Sequence, residues 1–326
     1  MKRVLITGGA GFLGFNLARY LVSKGCSVVV YDNKSRRGSE KSFHRLNQLL
    51  GIECVTGSLD DFGDFYRTRG SFDVIYHFAA QVAVTQSYQS PENDFRVNAL
   101  GTLVVARAAR DTPVIYASTN KVYGNNVNNI ELVERATRYE FADKAFWRGI
   151  DESYSIDTNH HTPYGCSKLT GEMYVREFGG IANRFSCMYG PNQFGNEDQG
   201  WVAHFVISAA RGKPIVVYGD GKQVRDLLYV DDVVRLLEIQ GNRAHELRGE
   251  VFSIGGGHEN TLSVRELCDL LRVTPTYAEW RPADQKVYYA NTQKALNVLG
   301  WKPHVSAEEG VRRLDHWVRQ NRGLFS

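Results

Sequence analysis

Long apolar runs, paired cysteines and a surplus of charge of either sign are all missing from this chain. No stretch of its 326 residues approaches the roughly 20 apolar positions that span a bilayer, so no membrane partner is expected. Lysine and arginine exceed aspartate and glutamate by little, leaving a formal net charge of +3. That is too small for the electrostatic footprint of a nucleic-acid binder, although a few arginines in one cleft can still serve an anionic ligand. The five cysteines, Cys26, Cys54, Cys166, Cys187 and Cys268, are scattered and never spaced CxxC. Reduced, mostly buried thiols are expected from them, with neither disulfides nor a metal centre. Met1-Lys2-Arg3 leads directly into an apolar segment and a glycine turn without a signal-peptide pattern, and the expected location is cytoplasmic. There is no internal repeat and no low-complexity linker.

What the chain does have is alternation. Residues 4–7, 27–31, 52–55, 74–78 and 113–117 are short apolar or β-branched runs, while 12–24 and 93–110 carry helical spacing. Strands alternating with helices predict βαβ units and a parallel sheet covered on both faces. After about Gly180 the rhythm breaks into turn-rich stretches at 189–192 and 218–221, which predicts a smaller, irregular region for substrate.

Thr7-Gly8-Gly9-Ala10-Gly11-Phe12-Leu13-Gly14 places glycines at 8, 11 and 14. The first permits a sharp turn out of the strand, the second lets backbone approach a pyrophosphate, and the third lets helix and strand pack closely. The helix N-terminus then offers N–H groups and a positive dipole end to that pyrophosphate. A glycine pattern alone is weak evidence. Here it follows a strand, opens a helix, and is followed by a second strand ending in Asp32, where a carboxylate would accept both hydroxyls of an adenosine ribose. Asp32 would repel a 2′-phosphate, which points to NAD over NADP. Arg36 and Arg37 could hold such a phosphate, and are read as a solvated loop. The expected fold is therefore α/β, a Rossmann-type doubly wound parallel sheet with a smaller mixed α/β region. Residues 1–180 and 225–255 are assigned to the NAD-binding domain, and 181–224 and 256–326 to the substrate region.

Tyr164-Gly165-Cys166-Ser167-Lys168 is a YxxxK spacing. On a helix, residues i and i+4 share a face, so phenol and ammonium can point into one cleft. A free phenol titrates near about 10, and a neighbouring cation and an oxidised nicotinamide ring would together lower it towards neutrality. The hydroxyl-bearing segment Ser118-Thr119-Asn120-Lys121 directly follows an apolar strand, at the carboxyl end where open α/β sheets place ligands. Thr119 or Ser118 would bond the substrate oxygen that becomes a carbonyl.

With these motifs the chain resembles the extended short-chain dehydrogenase/reductases over essentially its whole length. TGxxGFxG, YxxxK, the Asn98 segment and Arg225-Asp226-Leu227-Leu228-Tyr229-Val230-Asp231-Asp232 all fall where that family has them. The resemblance implies NAD as cofactor, and Thr119, Tyr164 and Lys168 as catalytic hydroxyl, base and lysine. It implies cofactor contacts from Gly8, Gly11, Phe12, Leu13, Gly14, Asp32, Asn33, Ser58, Leu59, Phe78, Ala79, Ala80, Gln81 and Asn98, besides Tyr164 and Lys168. Ser58 stands where many relatives carry an aspartate that holds the adenine amino group. Arg225 and Arg281 would grip the pyrophosphate of a nucleotide-sugar substrate, and a homo-oligomer, dimer or tetramer, is implied.

Ser118 to Gly124, together with 149–153, 188–190, 198–201 and 221–226, resembles the branch of the family that inverts C2 of a CDP-linked hexose. That likeness adds Ser118, Asn120, Lys121, Tyr189, Asn192, Gln199 and Trp201 as substrate contacts. Dehydratases of this family carry an Asp-Glu pair after their threonine. Asn120-Lys121 occupies those positions here and cannot perform that proton transfer. The implied activity is NAD-dependent epimerisation at C2 of a CDP-hexose through a transient 2-keto sugar. The alternatives are a nucleotide-sugar 4-epimerase or net oxidoreductase on the same scaffold, and, more remotely, a non-catalytic nucleotide sensor. Asp231 and Asp232 are read as helix caps, and His160 and His161 as loop residues.

Overall fold

Valines and isoleucines that leave the chain no polar face set the architecture: Val4, Leu5 and Ile6, then Val28, Val29 and Val30, are buried along their whole length. A strand apolar on both faces belongs inside a parallel sheet with helices on either side. The computed structural model describes residues 2–59, 61, 63, 65, 70–281 and 284–325. The chain divides into two units, one formed by Met1–Thr119, Pro163–Arg184 and Val233–Val251, the other by Asn120–Thr162, Phe185–Asp232 and Phe252–Ser326.

In the first unit, β1 (Arg3–Thr7), β2 (Ser27–Asp32), β3 (Glu53–Thr56), β4 (Val74–His77), β5 (Val114–Thr119) and β6 (Ile181–Phe185) join β7 (Val251–Ile254), a strand that starts in this unit and continues into the other. They lie in the order β7-β6-β5-β4-β1-β2-β3. β1 runs parallel to both β2 and β4, with Val4 opposite Val28 on one side and Val74 on the other. The strand order reverses between β1 and β4, and ligands of such sheets bind beyond the carboxyl ends of the strands at that reversal. Helix α1 (Phe12–Ser23) follows β1 and α2 (Ser39–Leu50) follows β2. Leu5, Val29, Tyr31, Ile75, Val105, Val114 and Tyr116 form the core beneath, each large aliphatic side chain contributing about 1.5–3 kcal/mol by leaving water.

The helical pattern at 93–110 is not one regular helix. An α-helical turn at Pro91–Phe95 passes into a π-helical turn at Arg96–Leu100 and returns to α-helix at Gly101–Ala109. The extra residue rotates Asn98, which is fully buried, onto the backbone of Gln81. Such bulges recur at functional sites.

The second unit is built around the strand Val224–Tyr229. It pairs antiparallel with Thr261–Ser263, and parallel with Val287–Tyr288 and Cys187–Tyr189. The helices Trp201–Ala210, Val264–Leu271 and Ala307–Gln320 pack Phe205, Leu267 and Leu314 onto Leu227 and Tyr229. Ser263 and Glu266 form a reciprocal capping box at the second of these, a device worth about 1 kcal/mol.

The two compact units do not share the bounds expected for the two domains from the sequence. Residues 120–162 belong with the second unit, and the return to the first is at Val233–Val251. The reason is visible in the hairpin Leu132–Glu134/Tyr139–Phe141, where Tyr139 N–H donates to the carbonyl of Lys222 at 3.0 Å. The thiols also differ from expectation. Only Cys268 is fully buried, and Cys166 is exposed because it lies between Tyr164 and Lys168 on the opposite side of their helix. No described helix is long and apolar enough to cross a membrane.

Candidate active site

The glycine turn is packed backbone against backbone. A Cβ on Gly8, where φ is +67°, would lie 2.6 Å from the amide nitrogen of Ala79, and one on Gly14 would lie 2.5 Å from the carbonyl oxygen of Gly8. Gly11 starts α1 with no side chain over its N-terminus, so the first N–H groups, at Phe12 and Leu13, are available to an anion. Asp32 closes the turn on its other side: Oδ2 accepts from Ala10 N–H at 3.0 Å and Oδ1 from Lys34 N–H at 2.7 Å. Burial raises its pKa, and these amide donors oppose the rise. A pyrophosphate at α1 and a ribose at Asp32 fit these residues. Asn33 donates to Ser58 Oγ at 3.3 Å, joining the loops after β2 and β3. The side chain of Leu59 belongs to the core, leaving its backbone to any ligand. Arg36 and Arg37 are exposed in the loop after Asp32.

Phe78, Ala79, Ala80 and Gln81 continue from β4 at the strand-order reversal. Asn98 clamps them in both directions, accepting from Gln81 N–H and donating to the Gln81 carbonyl, each at 2.9 Å.

Tyr164 and Lys168 lie one turn apart on the helix Pro163–Glu177 and are 8% and 2% exposed. Thr119, the last residue of β5, hydrogen-bonds the Tyr164 phenol. Burial, followed by the charge of Asp94, pushes that phenol up to about 12, against the pull of Thr119 and Arg36. The Lys168 ammonium sits 4.1 Å above the centroid of the Tyr116 ring. Burial brings it down to about 7, with Asp94 and Glu172 working in the other direction.

Ser118 needs correcting as a substrate contact. Alternation along β5 turns it to the opposite face from Thr119, where its hydroxyl donates to Glu172 Oε2 at 2.7 Å. Glu172 is in turn gripped by Arg184 at 2.7 Å, with both side chains almost wholly buried.

In the second unit, Asn120 Nδ2 and Lys121 Nζ approach Gln285 Oε1 at 3.2 and 3.5 Å. Burial, then the charge of Arg225, lowers Lys121 to about 8, and Asp284 opposes them. Arg225 pairs with Asp284 at 2.7 Å. Arg281 lies 4.0 Å over the Tyr218 ring and donates to the Glu197 carbonyl at 2.8 Å. Tyr189 is a correction: it is fully buried in the hydrophobic core, donates to the Ala307 carbonyl at 3.1 Å, and has no surface for a substrate. Trp201 likewise packs its ring edge-on against Phe205 and bonds the Cys187 thiol. Asn192 occupies a buried left-handed turn with φ +65°, and the Gln199 N–H donates to Asn196 Oδ1. Asp232 does more than face its own helix, accepting from His304 and Val305 N–H at 2.9 Å each, while Asp231 faces Arg313 at 3.8 Å. The His160 carbonyl accepts from Asn125 N–H at 2.9 Å, a loop contact, and His161 lies beside Gly124 in the same unit.

A model of the NAD dependent epimerase/dehydratase family matches residues 4–255, which include the glycine turn, Asn98, Thr119, Tyr164 and Lys168. The chain belongs to that family. As a member it is an NAD-dependent enzyme of the epimerase/dehydratase type. It is 38% identical to CDP-paratose 2-epimerase of Salmonella typhi, with 97% of this chain and 99% of that one aligned. Among solved structures it is similar to UDP-glucose 4-epimerase of Thermotoga maritima with UDP-glucose, at 29% identity, TM-score 0.83 and coverage of 98% and 99%. It is also similar to a dTDP-glucose 4,6-dehydratase of Streptomyces venezuelae solved with NAD, at 26% identity, TM-score 0.82 and coverage of 99% of each chain.

Membership in the epimerase/dehydratase family rests on residues that spacing alone could find. Asp94, Glu172, Arg184 and Gln285 were missed by sequence reasoning. Glu172 follows Lys168 by one helical turn, and that i+4 spacing was its one available signal. Asp94 likewise has Asn98 four residues on, whereas its other partners, and those of Arg184 and Gln285, are reached through the fold.

Proposed function

We propose that this chain epimerises a nucleotide-linked hexose by oxidising and re-reducing one ring carbon, C2 of a CDP-linked sugar. The observation carrying this reading is the buried Tyr164 phenol, bonded to Thr119 and one turn from Lys168, at the carboxyl end of β5. The chemistry supplied by bound NAD is that of a hydride acceptor which becomes a donor. Tyr164, as phenolate, takes the sugar hydroxyl proton and holds it while that carbon is a ketone. It returns the proton once the opposite face has been reduced. Moving this phenol from about 12 to neutral pH requires roughly 7 kcal/mol of phenolate stabilisation. With the Thr119 hydrogen bond already acting at that value, the Lys168 charge and the positive nicotinamide ring would supply the rest. Arg225 and Lys121, with Asp284 between their charges, leave a net positive cluster suited to a diphosphate.

Full-length similarity to the Salmonella typhi 2-epimerase supports C2. The Asn120-Lys121 pair supports epimerisation over dehydration, because neither side chain can act as the carboxylate pair of elimination. Reaction at C4 is the second reading. It has the broader support, since UDP-glucose 4-epimerases recur among both the curated relatives and the solved structures.

The test incubates the holoenzyme in deuterated water with CDP-paratose, CDP-glucose and UDP-glucose and follows the H1–H2 and H3–H4 couplings by proton NMR. Inversion at C2 of a CDP-sugar, without solvent deuterium entering the product, supports the proposal. Inversion at C4 of UDP-glucose replaces it with the second reading. Tyr164→Phe is expected to lower kcat at least about 100-fold with NAD still bound.

A further inference from the structure

A fully buried carboxylate that the reaction above does not use is hydrogen-bonded to Ser167, the residue before Lys168. Asp94 lies in the turn just before the π-helical bulge and has no exposed surface. Its Oδ1 accepts from Gln81 Nε2 at 2.7 Å and Asn98 Nδ2 at 3.1 Å, and its Oδ2 accepts from the Ser167 hydroxyl. These donors come from the loop after β4, the bulged helix and the catalytic helix, so the carboxylate joins three elements that surround Lys168.

A buried carboxylate that stays ionised needs a cation as well as donors. Glu172, the other acid facing Lys168, has Arg184 against it through Nε and Nη2 at 2.7–3.2 Å. Burial raises the Asp94 carboxyl, and its hydrogen bonds from Ser167 and Gln81, then the charge of the Lys168 ammonium, oppose that rise. The remaining groups facing that ammonium are neutral. His77 on β4 is held down at about 3 by burial and by Lys168 itself. Tyr116 on β5 is held well above its ordinary value by burial, and Tyr164 is a phenol until it acts. Glu172 is thus paired with Arg184, while the charges of Asp94 and then Glu172 both favour the Lys168 ammonium.

We infer that Asp94 is a positioning residue for the hydride chemistry, the counter-ion that keeps Lys168 protonated beside Tyr164 while its hydrogen bonds hold Gln81, Asn98 and Ser167 in place. The inference rests on the proposed role of Lys168, but its primary test needs no substrate. Holoenzyme labelled with 13C-lysine is titrated with pH, and the Lys168 13Cε resonance is followed in wild type, Asp94→Asn and Ser167→Ala. Losing the carboxylate moves the Lys168 midpoint at least about one pH unit lower. Ser167→Ala, which removes a hydrogen bond and keeps the charge, leaves it near the wild-type value. Asp94→Asn/Gln81→Glu returns a carboxylate to the cluster and brings the midpoint back up. In turnover, Asp94→Asn lowers kcat at pH 8 at least tenfold, with KM for the sugar nucleotide within about threefold.

A Lys168 midpoint unmoved by Asp94→Asn overturns the inference, as does an equal shift in Ser167→Ala. If Asp94→Asn does not fold, the double variant carries the test: a midpoint at the wild-type position supports the assignment and one displaced downward overturns it. A substrate assignment that fails leaves every protein inactive on the sugar tested while the titration still reads the pair.

Discussion

Neighbouring residues Ser118 and Thr119 carry nearly the same group and do unrelated work, because successive residues of a strand point to opposite faces. One hydroxyl bonds the Tyr164 phenol, the other a buried Glu172–Arg184 pair. The sequence placed both hydroxyls at the end of β5 but could not choose between them, since the choice depends on which face the Pro163–Glu177 helix covers. Tyr164 and Lys168 were legible because their relation is local, a single turn. Asp94 was not: besides Asn98 one turn away, its partners Gln81 and Ser167 lie 13 and 73 residues off. Asp226 is a second buried acid. It accepts from Ala290 N–H at 3.0 Å, Gly257 N–H at 3.1 Å and the Ser186 hydroxyl, and burial raises it from 3.8 to about 6. A raised acid binds its proton more tightly in the folded chain. Its stabilisation is therefore full below about pH 4 and is lost as pH rises through about 6. The stability advantage of wild type over Asp226→Asn is expected to shrink by about 2 kcal/mol between pH 4 and pH 7. Urea midpoints at the two pH values measure this.

At the scale of elements, the parallel sheet was readable from β-branched runs, and the glycine turn from its spacing. The π-helical turn at Arg96–Leu100 was not, because the hydrophobic period around it fits an ordinary helix. What forces the bulge is a tertiary demand, the two hydrogen bonds between Asn98 and the Gln81 backbone. Deleting Val97 should let the helix run regularly, and would turn Asn98 by about 100° away from that loop. The expected outcome is a folded protein whose NAD affinity falls at least about tenfold, the loss of roughly one well-made hydrogen bond to backbone or more. Isothermal titration with NAD, beside circular dichroism to confirm the fold, checks it. The compact units are likewise not bounded where the sequence rhythm changes: residues 132–141 lie within the span assigned to the NAD-binding domain, and the backbone of their hairpin bonds Lys222.

For the molecule as a whole, the division into units is not a division of the chain. The polypeptide passes from one unit to the other at 119/120, 162/163, 184/185, 232/233 and 251/252. All five tryptophans, Trp147, Trp201, Trp280, Trp301 and Trp317, belong to the second unit, whereas the dinucleotide turn belongs to the first. Indole fluorescence therefore reports on a part of the protein that holds none of the glycine-turn residues. Because every segment is tethered at the ends it shares with the other unit, a single unfolding transition is expected. Saturating NAD at 100 times its Kd should stabilise the tryptophan-reported transition by about 2.7 kcal/mol. Denaturant titrations with and without NAD check this, and a fluorescence midpoint indifferent to NAD would refute it.

Such interlacing also limits how a protein of this kind can acquire new chemistry. A genetic exchange that imported a foreign second unit would need three simultaneous splices in register, at 120–162, 185–232 and 252–326. Innovation on this scaffold is accordingly confined to substitutions made in place, one side chain at a time, under a cofactor site that has to survive each of them.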